Sequence, residues 1–156
     1  KIGDESLNCH FVNGFAANDP QSTLNIWEKI VEMDYNSDDP IVVMNCRQDR
    51  VDRTEIFVKN VFPNIKTHTL VGIGSVTEPI ATAFKKGLLP NVKNYIDLEN
   101  ATPDEILDVI GPLMKDRVIY GVGNIHGTGE PFIEKLLSMS QEDQKDDYNE
   151  NKKAII

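Results

Sequence analysis

Three of the four arginines of this chain, Arg47, Arg50 and Arg53, fall within seven residues. They follow directly on the apolar run Ile41-Val42-Val43-Met44 and the pair Asn45-Cys46. In a chain of formal net charge −9 this is a local reversal of sign. A guanidinium is a rigid fork of donors that fits phosphate or carboxylate bidentately. Three of them at the mouth of a buried strand would make an anion site. Asp49, Asp52 and Glu55 are interleaved with them, so a helix start carrying surface ion pairs is the competing reading.

Other segments have the composition of ligand loops. Residues 121–129 hold four glycines in nine positions, which costs stability unless backbone must approach something closely. His126 lies among them and reads as a hydrogen-bonding prop ahead of a catalyst. Residues 72–75 contain a weak Gly-x-Gly pattern. Residues 13–20 read as a strand-to-helix turn with a good cap. His10 and His68 read as structural or exposed. The chain has no Gly-x-x-x-x-Gly-Lys-Ser/Thr phosphate loop, no zinc-type spacing and no Gly-x-Ser-x-Gly turn. It is therefore expected to bind and position a reactant without a self-contained catalytic engine.

The elements that must hold these loops alternate. Apolar runs at residues 7–12, 41–44, 67–71, 94–98 and 118–122 each fit a buried strand better than a half-exposed one. Five helical patterns lie between and after them. The first opens at Asp19-Pro20, a cap followed by a proline. The second passes through Ile56, Phe57, Val61 and Phe62, and the third runs from Thr77 to near Gly87. The fourth opens with the capping box of Thr102 and Glu105, and the fifth follows Glu130-Pro131. Such alternation predicts an α/β fold: a Rossmann-like open, mostly parallel sheet of five or six strands with helices on both faces. Loops entering the strands are plain. Loops leaving them, at residues 13–19, 46–53, 72–77 and 121–129, are rich in Gly, Asn and Arg. Ligands of open parallel sheets bind beyond the carboxyl ends of the strands.

Bulk properties agree with a soluble globular protein, at 40% hydrophobic and 26% charged residues over 156 positions. Residues 1–140 read as one domain and 141–156 as an acidic, mobile tail. A pI near 4.7 argues against nucleic-acid binding and against an anionic membrane surface. No apolar stretch approaches membrane-spanning length, and the start has no signal-peptide pattern. Cys9 and Cys46, without metal-type spacing, read as buried reduced thiols. The first residue is Lys1 rather than Met, so a fragment, cleavage product or excised domain is expected.

Several of these segments resemble a known superfamily. Residues 12–23 resemble the loop that opens the C-terminal domain of Mur ligases and folylpolyglutamate synthases, where an acidic segment leads into Ala-Asn-Pro or His-Asn-Pro. Asn45-Cys46-Arg47-Gln48-Asp49-Arg50 is similar to their Gly-Cys-Gly-Gly-Asp-Arg element, and residues 121–127 are similar to their last-strand Gly-Lys-Gly-His loop. A narrower likeness, in HFVNGFAANDPQSTLNIW, NCRQDRVDRT and GVGNIHGTGEP, is to the ligase subunit of poly-γ-glutamate synthases. It covers nearly all of the chain from about His10 to the last helix. Two departures stand out: the usual acid of the first loop is Asn13 here, and Asp19 is inserted before Pro20.

The resemblance implies the C-terminal domain of an ATP-dependent amide ligase that polymerises glutamate through an acyl phosphate. ATP and Mg²⁺ would be bound mainly by a preceding ATPase domain that this chain lacks, leaving the chain inactive alone. Catalysis would fall to Arg47, Arg50 and Arg53. Nucleotide or substrate binding would fall to Asn13, Asn18, Asp19, Asp49, Gly123, His126 and Gly127. No metal ligand is expected in this chain. Implied partners are the ATPase domain, membrane subunits of the synthase complex, glutamate and the growing polymer. No nucleic acid is expected, a homo-oligomer is admitted, and the implied location is cytoplasmic, at the inner face of the cell membrane. Two rivals come from other classes. An NADP-dependent reductase would use Arg47 on a ribose phosphate, although the first loop has one glycine where a dinucleotide fingerprint needs three. The other rival is a non-catalytic docking module.

Overall fold

In the strand Ile41–Cys46 every side chain is buried, as happens only where both faces of a sheet are covered. The computed structural model describes residues 2, 7–33 and 35–139. It places that segment as β2 near the middle of a five-stranded sheet. In chain order the elements are β1 (His10–Asn13), α1 (Pro20–Glu32), β2 (Ile41–Cys46), α2 (Val51–Asn60), β3 (Thr67–Gly74) and α3 (Glu78–Lys85). Then come β4 (Val92–Glu99), α4 (Pro103–Ile110), β5 (Val118–Gly123) and α5 (Gly129–Ser138). Short 3-10 turns follow α2 and α4. The strand order is β1-β5-β2-β3-β4, with every pairing parallel. This is the α/β Rossmann-like open sheet expected from the alternation.

The period-two alternation of the strands divides the core into two layers. Val42, Met44, Cys46, Tyr120 and Val122 pack with Trp27 and Ile30 of α1, Phe57 of α2 and Ile80 of α3. Ile41, Val43, Val71, Ile73 and Ile119 pack with Ile106 and Ile110 of α4 and with Phe132 and Leu136 of α5. So α1, α2 and α3 cover one face, and α4 and α5 the other. Tyr120 ties the first layer together. It stacks on Trp27 with ring centroids 5.5 Å apart and donates its hydroxyl to the Thr23 carbonyl at 2.6 Å. Both helix starts read from sequence are built as caps. Asp19 accepts from the Ser22 N–H at 2.8 Å, and Thr102 and Glu105 form a reciprocal capping box.

Three expectations need correction. Residues 94–98 were expected in a buried strand, but β4 is an edge strand in which Lys93, Asn94, Asp97 and Glu99 are exposed. It pairs only with β3, and charges along its length discourage pairing with another chain. The second helical pattern was expected to run through Phe62. Instead α2 stops at Asn60, and Phe62-Pro63-Asn64 tightens to a 3-10 turn, since a residue preceding proline is pushed out of the α region. Phe62 is buried all the same. The fifth helix starts at Gly129, so Pro131 stands in its first turn, where the missing N–H costs nothing. The tail expected at residues 141–156 lies outside the described residues. Among those described, no helix is long and apolar enough to cross a membrane.

Candidate functional site at the carboxyl rim

Because all five strands are parallel, the Gly-, Asn- and Arg-rich loops after β1, β2, β3 and β5 open onto one rim. The neighbours β2 and β5 then part: β2 leads to α2 on one face and β5 to α5 on the other. Adjacent strands whose connections diverge leave a crevice at their carboxyl ends, the usual ligand position of such sheets.

A pair of amides ties the ends of β2 and β5 together at that point. Asn45, fully buried near the end of β2, donates its Nδ2 to the carbonyls of Asn124 at 2.6 Å and His126 at 2.7 Å. Asn124, the first residue after β5, donates its Nδ2 to the Asn45 carbonyl at 2.9 Å. Arg53, in the first turn of α2, donates to the Asn124 Oδ1. The Asn45 Oδ1 is buried and has no hydrogen-bond partner. Sequence reasoning passed over Asn45 and Asn124 as candidates. The available signal was an amide inside an otherwise apolar six-residue strand.

The three arginines reach the same rim but differ in their partners. Arg47 forms an ion pair with Asp49 at 2.7 Å, with both side chains partly exposed. Exposed pairs of this kind contribute about 0–1 kcal/mol, so an incoming anion can take the guanidinium over. Arg50 is exposed, and among the described residues its guanidinium donates to the Asp49 carbonyl alone, at 3.2 Å. It occupies the cap position before α2 rather than sharing a helix face with Arg53. Arg53 is half-buried against Asn124.

The remaining candidates divide similarly. Asn13 ends β1 and accepts from the Phe15 N–H at 3.2 Å, an Asx-type turn. Asn18 is exposed in the following loop. Asp19 holds Ser22 through both its N–H and its hydroxyl, at 2.8 and 2.7 Å. The Ser22 N–H, and then its hydroxyl, keep the Asp19 carboxyl below its ordinary range. A pyrophosphate bound at the start of α1, as a dinucleotide site requires, would meet this carboxylate. His126 has an exposed ring with Nδ1 3.2 Å from Glu130 Oε1. Gly123 and Gly127 both adopt positive φ, at 97° and 77°.

Beside the arginines, the start of α3 is held by two carboxylates of β4. Asp97 accepts from the Thr77 hydroxyl at 2.8 Å and Glu99 from the Thr77 N–H at 3.1 Å. Val76, just before them, has φ 62°, a strained conformation for a β-branched residue. Both cysteines are buried and free, and burial pushes each thiol up to about 12. Such thiols are inert at neutral pH. The guanidinium groups of the rim fit phosphate oxygens. Among the described residues, no group of three His, Cys, Asp or Glu side chains could hold a metal ion.

The Asp19 cap makes stability depend on acid. A carboxyl whose folded-state pKa is lowered stabilises the fold above its unfolded value and ceases to do so as pH falls through the folded one. Asp19→Ala is therefore expected to lower the melting temperature at pH 7, with most of the difference from wild type disappearing well below about pH 4. Asp19→Asn, which keeps an acceptor but not the charge, should fall between the two at pH 7 and converge with wild type as Asp19 is protonated. Melting curves of the three proteins across that range check it, and an Asp19→Ala deficit unchanged at low pH would contradict it.

A family model described as Poly-gamma-glutamate synthase CapB C-terminal domain matches residues 1–139. The chain is 55% identical over 127 residues to a PGA synthase CapB of Bacillus subtilis (strain 168), covering 81% of this chain and 32% of that protein. It is 49% identical over 137 residues to a capsule biosynthesis protein CapB of Bacillus anthracis, covering 88% of this chain and 29% of that protein. The chain thus spans about a third of the length of these relatives. No solved structure matches it.

Proposed function

The chain belongs to the family of poly-gamma-glutamate synthase CapB C-terminal domains, and from that premise we propose that it is the C-terminal domain of an ATP-dependent amide ligase. The ligase joins glutamate through γ-amide bonds during capsule synthesis. One observation carries this reading at the level of residues: Arg47, Arg50 and Arg53 stand together at the carboxyl rim, beside the crevice between β2 and β5.

In the proposed reaction a γ-carboxylate attacks the terminal phosphorus of ATP and displaces ADP. The acyl phosphate is then attacked by the amine of the next glutamate, and inorganic phosphate leaves. Negative charge builds on the phosphoryl oxygens in the first step and on the tetrahedral oxygen in the second. Fixed guanidinium groups in a closed cleft stabilise such charge better than water does. Arg53, anchored on a neutral amide, offers its whole charge. Arg47 exchanges Asp49 for the substrate. Arg50, at the exposed edge, meets the nucleotide-bearing surface of the preceding ATPase domain. Magnesium, which accompanies nucleotide phosphates, would be held by that domain together with the phosphates themselves. Partner subunits at the inner face of the membrane would receive the polymer.

The test uses glutamate labelled with heavy oxygen in its γ-carboxyl group and the full-length ligase. An acyl-phosphate route transfers one labelled oxygen into inorganic phosphate for each amide bond made. Unlabelled phosphate under turnover would contradict the mechanism.

A further inference from the structure

We infer that Asn124 is a positioning residue that, held in turn by Asn45, fixes the guanidinium of Arg53 at the mouth of the crevice between β2 and β5. The inference rests on the proposed ligase reading, in which Arg53 serves the reaction.

Asn124 is 2% exposed, and both ends of its side-chain amide are engaged, Nδ2 on the Asn45 carbonyl and Oδ1 on Arg53. Its backbone N–H also reaches the Asn45 carbonyl at 3.2 Å, and its own carbonyl accepts from Asn45 Nδ2. Four hydrogen bonds therefore converge on this residue from β2 and α2, two elements that its own strand does not precede or follow. The same Asn45 amide grips the His126 carbonyl, so one side chain locks the last-strand loop in place while that loop holds the arginine. Nδ2 faces two carbonyls, which settles the orientation of the Asn45 amide and leaves its Oδ1 buried without a partner. A buried unpaired acceptor is costly. The fold tolerates it at the amide that ties the end of β2 to the loop after β5.

The chemistry of the acceptor matters as much as the fixing. Arg47 is held by a carboxylate, which cancels its charge locally. Arg53 is held by a neutral amide, which restrains a side chain with much rotamer freedom and leaves its charge available. This is what an anion-stabilising group needs: a set direction before the charge appears, and no competing counter-charge.

A double-mutant cycle in the full-length ligase tests this. Arg53→Ala, Asn124→Ala and the double variant would be compared for kcat, KM and melting temperature. If Asn124 acts through Arg53, Asn124→Ala lowers kcat by about 10- to 100-fold, leaves KM for ATP nearly unchanged, and costs no further turnover once Arg53 is gone. Equal losses in both backgrounds, or a loss in Arg53→Ala with none in Asn124→Ala, would overturn the inference alone. Wild-type turnover in Arg53→Ala would overturn the reading of the rim and the inference with it. If Asn124→Ala does not fold, nuclear magnetic resonance of the wild-type protein decides. A held Arg53 shows separate, slowly exchanging guanidinium resonances where Arg50 shows averaged ones, and averaged signals from Arg53 would overturn the proposal.

Discussion

On the proposed ligase reading, Arg53→Ala in the full-length protein is expected to lower turnover by about 10²-fold, or ~2.7 kcal/mol of transition-state stabilisation. The expectation follows from what surrounds the side chain. Arg53 is half-buried in the first turn of α2, its position set by a buried amide, at the crevice where β2 and β5 diverge. The proposed acyl transfer would place charge on the tetrahedral oxygen that the ground state lacks, so the loss should fall on kcat more than on KM. Folding should lose about 1 kcal/mol, a few degrees in melting temperature, because the buried Asn124 Oδ1 gives up its donor. Arg50→Ala is expected to act in the same direction with no stability cost, since its guanidinium makes only one exposed bond. Arg47→Ala also removes an ion pair, but an exposed one of little energetic weight. Steady-state rates of the three variants beside their melting temperatures separate reaction roles from structural ones.

Gly74→Ala should be among the most destabilising single changes in the chain, at about 3 kcal/mol or more. Gly74 ends β3 with φ 82°, where an L-residue already pays about 1–2 kcal/mol. A Cβ there would also sit 2.2 Å from the Cys46 carbonyl oxygen and 2.6 Å from the Asn45 Oδ1. The first neighbour is backbone in the central strand and cannot withdraw. The second is the amide that grips the loop after β5, so pushing it aside would disturb the rim as well as the sheet. Gly87 is the internal control. It has φ 73°, but a Cβ there would meet nothing within 4 Å. Gly87→Ala should therefore show only the conformational part of the cost. Urea denaturation of both variants measures the difference, and equal losses would show that the clash at Gly74 is relieved.

Much of this arrangement is legible in the residues themselves. Short apolar runs separated by capped helical patterns leave few alternatives to a parallel sheet, and parallel strands must send every exit loop to the same end. That is why loop composition alone located the rim. The caps at Asp19-Pro20 and at Thr102 are legible because a cap is a matter of a few consecutive residues. What depends on distant pairing is not. Nothing local to Val118–Gly123 says that this strand inserts between β1 and β2. The edge position of β4 was obscured by Tyr95, Ile96 and Leu98, although Asp97 and Glu99 alternate with them. Asn45 stands out as an amide in an apolar strand, but nothing local says that its partner is Asn124, 79 positions away. Asp19 illustrates the opposite difficulty. Family resemblance marks it as a binding residue, while local chemistry makes it a helix cap, and in the fold its oxygens are both on Ser22.

The most direct measurement is kcat of the full-length protein carrying Arg53→Ala, taken with its melting temperature and against wild type under the same conditions. A carboxyl rim that serves acyl transfer requires a loss of about 10²-fold with the melting temperature within a few degrees of wild type. Turnover within about twofold of wild type in a folded Arg53→Ala enzyme would contradict it.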